Sequence, residues 1–337
     1  MNIQEYSVAV ATSLESKKNT SAIAREAGVS QSTASRFLKQ IDLNDQDFVP
    51  LVLSIFGKKK LCLIIDDGTI SKRYSEEIEG VSSMVDQSTK TFTNGYKIVA
   101  AGLTDGKYFL PIALEHWVAE FIMGEDYLKV TELAEKLILR VLELGLLISY
   151  FVMDGLYFSD EFIKFLNKKK LKFVMKAKTT TSVIYNGQKM QLQNCKDLQL
   201  NSNQSQKKIV AEWNGKKRYF IAVKRSGKSG PTVIYLTANF KAKSKVYAKI
   251  YDSRWKIEKF FRTAKQSLGL KHSLSLEAKI YLNHIKCVFF AYCLLQLVMK
   301  KFKLSSIEDA IRKAQALKYK YGFDETVQKI SLLENYA

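Results

Sequence analysis

The chain is poor in proline, histidine and tryptophan, with three of each in 337 residues, and carries four cysteines. Three histidines (His116, His272, His284) and no CxxC pair leave too few soft ligands for a zinc centre. The cysteines (Cys62, Cys195, Cys287, Cys293) lie mostly in apolar runs, which argues against a disulfide framework and for buried thiols in a reducing compartment. The N-terminus, MNIQEYSVAVATSLESKKNT, lacks a basic stretch followed by an apolar one, so no signal peptide is expected. The most apolar segment, residues 287–299, is about 13 residues long, short of a bilayer span, and a soluble intracellular protein is expected. Acids are scarce too. Against 53 Lys and Arg stand 33 Asp and Glu, giving +20 and a pI near 9.5. That excess points to a polyanionic partner, although a Lys- and Asn-rich composition accounts for part of it.

What is present is organised. Residues 21–40, SAIAREAGVSQSTASRFLKQ, have the pattern of a helix-turn-helix. Ile23, Ala24 and Ala27 supply an inner face, Gly28 suits the left-handed position after a helix, and Ser30 is a good N-cap. Gln31, Ser32, Thr33, Ser35 and Arg36 then fall on the outer side of the second helix, as residue types that reach base edges and phosphates. A purely structural helical hairpin has the same pattern. Leu61 to Ile65 is an apolar run that reads as a buried strand and delivers Asp66-Asp67 at its carboxyl end. Residues 147–153 repeat the device and end in Asp154-Gly155; a helix over 159–168 and a strand over 172–175 complete a parallel βαβ unit. Residues 94–103 and 107–114 read as a hairpin.

From 179 to 239 short strands alternate with Asn-Gly, Gly-Lys and Ser-Gly turns. Residues 201–250 hold 12 Lys or Arg and one acid, Glu212, so a basic β-rich face is expected there. A helix is expected over 242–268, followed by apolar helices over 275–300 and 305–317. On that first helix Tyr251, Arg254, Glu258 and Lys265 fall within a stripe about 60° wide, which Arg262 widens to about 80°. Ile250, Ile257, Phe261, Ala264 and Leu268 form an apolar stripe beside it.

Asp66, Asp154 and Glu258 thus form a set of three hard oxygen ligands with no His or Cys among them, which suits Mg²⁺ or Mn²⁺. Two such ions about 4 Å apart activate a water or a 3′-hydroxyl and stabilise the leaving oxygen of a phosphodiester. The order of the three acids and the Y-x2-R-x3-E-x6-K spacing resemble the DDE transposases of bacterial insertion sequences that carry this signature. Three stretches carry the likeness: IIDDGTISKRYSEEIEG, VMDGLYFSDEFIKFL and YDSRWKIEKFFRTAK. The resemblance covers roughly residues 60–300.

That resemblance implies an α/β fold with an RNase H-like mixed-sheet core, interrupted by a β-rich insertion and flanked by an N-terminal helix-turn-helix and C-terminal helices. The implied division is 1–50, 58–178, 179–240, 241–300 and 301–337. It implies a transposase that cuts and joins DNA at the ends of its own element, with Asp66, Asp154 and Glu258 holding two Mg²⁺ ions for which Mn²⁺ can substitute. Tyr251, Arg254, Arg262 and Lys265 would grip DNA at the element end, with Gln31, Ser32, Thr33 and Arg36 reading duplex sequence. Trp213 is a candidate for stacking on a base, with a core role as the alternative. The implied partners are double-stranded DNA (terminal inverted repeats and target) and a second copy in a synaptic homodimer, with no membrane and a cytoplasmic, nucleoid-associated location.

One position departs from the family. There the first motif usually reads Asp-x-Thr or Asp-x-Ser, whereas Asp66 is followed by Asp67-Gly68-Thr69, so either Asp66 or Asp67 can be the ligand; strand position favours Asp66. A DNA-binding repressor, a silenced transposase and another RNase H-like nuclease are the rival readings. Metal-dependent cleavage separates the first two, and strand transfer of a cut end separates the third.

Overall fold

The computed structural model describes residues 1–73, 75, 77–86, 91–227 and 230–335. In chain order the helices and strands are α1 (Ile3–Thr12), α2 (Thr20–Glu26), α3 (Gln31–Gln40), α4 (Val49–Phe56), β1 (Leu61–Ser71), β2 (Ser82–Asp86), β3 (Thr91–Thr104), β4 (Phe109–Trp117), α5 (Glu120–Met123) and α6 (Val130–Glu143). They continue as β5 (Ile148–Met153), α7 (Asp160–Lys168), β6 (Phe173–Ala177), β7 (Ser182–Tyr185), β8 (Gln188–Gln191), β9 (Gln206–Trp213), β10 (Lys216–Gly227) and β11 (Gly230–Ala238). The last are α8 (Ser244–Asp252), α9 (Trp255–Ser267), α10 (Ala278–Lys301), α11 (Ile307–Tyr321) and α12 (Phe323–Ser331). These fall into two compact units: residues 1–59, 67–147 and 256–337, and residues 60–66 with 148–255.

The second unit is built on a mixed sheet. The first half of β1, β5 and β6 run parallel, as the apolar runs before Asp66 and Asp154 predict. Helix α7 makes the crossover between β5 and β6, and Ser159 caps it by accepting from the Phe162 amide. β11 then pairs antiparallel with β6 (Tyr235 opposite Ala177), so the β-rich segment continues the same sheet through β10, β9, β7 and β8. Two of its hairpins turn on Asn-Gly pairs in which both residues have positive φ: Asn186-Gly187 (51° and 78°) and Asn214-Gly215 (50° and 71°). That is the two-residue turn whose twist matches paired strands, and asparagine and glycine tolerate it best. Beneath them Val183, Leu192, Leu198, Ile209 and Phe220 form a core.

The first unit is organised on α10. This helix is 24 residues long, well beyond the 13-residue apolar run, because Asn283 and Lys286 extend it by donating to the Leu38, Ile41 and Leu43 carbonyls. By length and composition α10 is apolar enough to cross a membrane, with a mean hydropathy of 1.5 over its best window. Since 89% of that window is buried inside the protein, its apolar side chains serve the core. α1, α3, α4, α11 and the β4 strand pack around it. The Tyr281 ring stacks on Tyr96 at 4.2 Å, and Phe260 meets Phe289 and Tyr292 edge-on, both at 4.9 Å. The β2–β3–β4 meander is antiparallel, and the distal end of β1 lies beside β3, where Ser71 and Thr93 hydroxyls meet at 2.8 Å.

At the centre of this unit His284 is fully buried, with Nε2 2.9 Å from the Gly269 carbonyl and Nδ1 2.9 Å from the Tyr6 hydroxyl. A carbonyl only accepts, so Nε2 carries the proton and Nδ1 accepts from Tyr6. Burial pushes the His284 pKa down to about 4. The unfolded chain therefore binds this proton more readily, and stability contributed by neutral His284 is complete above about pH 6.5 and is lost as pH falls toward 4. In urea titrations, wild-type stability should fall across that window, and His284→Gln, destabilised at neutral pH, should show a shallower fall.

Candidate active site

The catalytic candidates gather first through strand register. Within the second unit β1 and β5 pair in parallel up to Ile65 opposite Met153. The next residues are Asp66 and Asp154. Strand neighbours lie about 4.8 Å apart, and opposed residues on parallel strands point to the same face, so the register sets two carboxylates side by side. Like charges at that spacing repel, and each is met by a donor. Arg254 Nη1 donates to Asp66 Oδ2 at 2.8 Å, with both side chains only 14% exposed. The Tyr251 hydroxyl donates to Asp154 Oδ1 at 3.0 Å.

Both donors come from the end of α8. Tyr247 and Tyr251, one turn apart, are buried, and the Tyr247 hydroxyl accepts from the Ala242 amide and donates to the Phe240 carbonyl, fixing the start of the helix. The Arg254 guanidinium lies 5.7 Å from the Tyr251 ring centroid, a cation over the π face that orients both groups. Burial, reinforced by the Asp154 carboxylate, holds the Tyr251 pKa well above that of a free phenol, so this residue donates a hydrogen bond and does not serve as a base near neutrality.

The single helix expected over 242–268 is two helices. α8 stops at Asp252 and α9 starts at Trp255. Between them Ser253 and Arg254 amides bond three residues back, to Ile250 and Tyr251, and the Ser253 hydroxyl donates to the Ile250 carbonyl at 2.6 Å. A side chain that competes for a helical carbonyl bends the chain at that point. The signature is therefore split: Tyr251 ends α8, Arg254 sits in the turn, and Glu258 and Lys265 belong to α9 and to the first unit. Glu258 is half-buried on the first turn of α9. Lys265, near its end, lies 5.9 Å from the Phe261 ring centroid, and Arg262 is exposed in a groove of about 360 Å³ with Lys107, Lys256 and Lys259.

Asp66 also departs from its expected place. β1 does not end there; it runs on to Ser71 because its second half is held beside β3. Strand alternation turns Asp66 and Asp67 to opposite faces. Asp67 pairs with Lys97 at 3.3 Å in the first unit, whereas Asp66 pairs with Arg254. Gly68 has a local cause as well. A Cβ there would sit 2.9 Å from two ring atoms of Phe261, so the ring on α9 takes the space of the family's Thr or Ser.

Gln31, Ser32 and Arg36 are exposed on α3, while Thr33 is half-buried with its hydroxyl 2.8 Å from Ser30 Oγ. Ser30 caps α3 and Gly28 has φ 67°, as the helix-turn-helix pattern requires. Trp213 is packed: its ring is 4.8 Å from Phe158, and Arg218 lies 5.3 Å over it. In the β-rich face Lys216 and Lys217 are exposed, while Arg218 is buried. The exposed tryptophan is Trp255 (53%), beside Arg254, which sequence reading passed over although its place inside the signature was the available signal.

Asp66 and Asp154 supply adjacent hard oxygens on one face, the chemistry a divalent ion takes. Among the described residues no group of three or more His, Cys, Asp or Glu side chains is gathered as a metal cage. The geometry thus fits an ion held by two aspartates that takes its remaining ligands from elsewhere.

Introducing threonine at Gly68 should overpack Phe261. Gly68→Thr is expected to cost about 1–3 kcal/mol in urea unfolding, with much of it recovered when Phe261→Leu is added.

A family model described as the transposase DDE domain matches residues 58–294, more than half of the chain. No curated protein matches it. The matched span includes both register-paired aspartates and the whole Tyr-Arg-Glu-Lys segment, and the chain belongs to the transposase DDE domain family.

Proposed function

We propose that this transposase belongs to the Y-R-E-K signature group and moves its insertion sequence by a cut-and-paste route, with Asp66, Asp154 and Glu258 as the acidic triad. The observation that carries this reading is the pairing of Asp66 with Asp154 on neighbouring parallel strands, with Arg254 and Tyr251 bonded to them. The three acids would hold two Mg²⁺ ions, or Mn²⁺ in their place, and when bound these ions activate the attacking hydroxyl and stabilise the leaving oxygen. Asp66 is preferred over Asp67 because Asp67 faces the opposite side of β1 and is paired with Lys97.

Tyr251 and Arg254 have a second task here. They orient the two carboxylates, and they lie within reach of any phosphate brought to those carboxylates. Arg254 cannot lose its charge, so it offsets negative charge that builds on the phosphate in the transition state. Lys265 and Arg262 extend cationic surface along α9, and Trp255 offers an exposed ring to an unstacked base. Gln31, Ser32, Thr33 and Arg36 on α3 would read the terminal repeats, and Lys216 and Lys217 would track the backbone. Trp213 is better assigned to packing, given Phe158 and Arg218 on its faces. Two ends brought together call for a homodimer on DNA, acting in the cytoplasm at the nucleoid.

The test is cleavage of a linear duplex carrying the element end and its flank, with Mg²⁺, Ca²⁺ or EDTA. Cutting at the boundary is expected only with Mg²⁺, and Asp66→Ala, Asp154→Ala and Glu258→Ala should each lose about a thousandfold or more, on the order of 4 kcal/mol. Arg254→Lys, which loses the planar fork, should lower the rate while leaving duplex binding by α3 intact. Cleavage that survives Asp154→Ala or Glu258→Ala would overturn the site assignment. Binding with no cutting in any metal would favour a silenced enzyme or a repressor.

A further inference from the structure

We infer that the segment between β4 and α6 is a dimerisation knob that seats on the loop between α9 and α10 of a second copy of this chain. The knob spans α5 and the turn after it. Phe121 is 78% exposed, Ile122 47%, Met123 40% and Leu128 40%, an apolar cluster too concentrated to be scattered surface residues. It is not a loose tail. The Ile122 and Met123 amides both bond to the Ala119 carbonyl, the Tyr127 amide bonds to Gly124, and the Tyr127 ring packs edge-on against Trp117 at 6.4 Å. The cluster is therefore presented in a fixed shape, which lowers the ordering cost of binding.

Charge names the occupant. In a chain of net +20, residues 120–129 carry three acids (Glu120, Glu125, Asp126) against one base, Lys129. An acidic, apolar knob needs a basic, apolar seat, and the same chain has one. The loop after α9 exposes Leu274 (73%) and Leu276 (57%). Lys271 is exposed in it, and the linker after α1, tied to it by the Lys18 amide bonding to His272 Nδ1 at 3.0 Å, adds exposed Lys17 and Leu14 (79%). Four lysines (Lys271, Lys72, Lys17, Lys18) act on His272 and depress its pKa, after burial, which marks the local potential as positive.

Knob and seat are also neighbours within one chain. The Ala119 amide bonds to Ser82 Oγ at 2.9 Å, and the Glu79 amide bonds to the Leu276 carbonyl at 3.0 Å. Residues 79 and 82 are three apart, so the two halves are joined by at most about 10 Å of chain. A patch with adjacent halves of opposite charge, each with an apolar centre, is self-complementary under a two-fold axis: the knob of each copy meets the seat of the other. That closes as a dimer instead of growing into a filament. Its use in holding two DNA ends rests on the transposase reading; the contact itself does not.

The test uses the full chain without DNA, by sedimentation equilibrium over about 0.1–100 μM. Wild type should dimerise, more tightly at low salt. Phe121→Ser should weaken the dimer about thirtyfold, the effect of removing a central aromatic anchor. Glu125→Lys with Asp126→Lys, or Lys17→Glu with Lys271→Glu, should each weaken it, and the four together should restore it. All these positions are on the surface, so circular dichroism should show unchanged folds. A wild-type monomer throughout the range, a Phe121→Ser dimer of wild-type affinity, or a fourfold variant that is no tighter than either pair would overturn the proposal. Loss of metal-dependent cutting in Asp154→Ala bears on the transposase reading alone, since it leaves this equilibrium untouched.

Discussion

The second unit depends on two carboxylates placed side by side at the end of a parallel strand pair. Hydrogen bonding between β1 and β5 stops at Ile65 and Met153, and the next residue on each strand is an aspartate. Placing two anions about one strand spacing apart is unfavourable without compensation. The fold supplies it from one short segment: the last turn of α8 gives a phenol to Asp154, and the turn after it gives a guanidinium to Asp66. The same repulsion that must be offset in the protein is what makes such a pair attract divalent cations and, with them, phosphate.

Several features exist to hold those donors. Tyr247 closes the chain before α8 by bonding to both Phe240 and Ala242, and Tyr251 one turn later carries the hydroxyl that reaches Asp154. The Ser253 hydroxyl then takes the Ile250 carbonyl, the helix bends, and Arg254 is released from the helical path to reach back to β1. A continuous helix would carry Arg254 on the same face as Glu258. The bend separates their tasks, with Arg254 given to a strand carboxylate and Glu258 placed on the next helix.

Much of this was legible in the sequence, for physical reasons that differ by element. Continuous apolar runs can only be buried strands or helix cores, so Leu61–Ile65 and Tyr150–Met153 announced themselves, and so did the aspartates that end them. The Asn-Gly hairpins were legible because few other residues accept positive φ twice in succession. The bend at Ser253 was not: neither proline nor glycine marks it, and 3.6-residue periodicity runs through it unbroken. The continuation of β1 past Asp66 was also hidden, since Asp-Asp-Gly reads as a turn and only pairing with β3 holds it extended. Gly68 departs from the family's pattern because Phe261, distant in sequence, occupies the space. The exposed Trp255 lay inside the signature and was outweighed by attention to Trp213, which the structure packs against Phe158.

The central claim is that Asp66 and Asp154, not Asp67, are the strand-borne ligands. The most direct measurement is Mn²⁺ binding to the full chain, followed by electron paramagnetic resonance, in wild type and in Asp66→Asn, Asp67→Asn and Asp154→Asn. The account predicts that Asp66→Asn and Asp154→Asn each abolish tight Mn²⁺ binding, while Asp67→Asn retains it and loses only the stability supplied by Lys97. Retention in Asp66→Asn with loss in Asp67→Asn would contradict it, and would place the metal on the other face of β1.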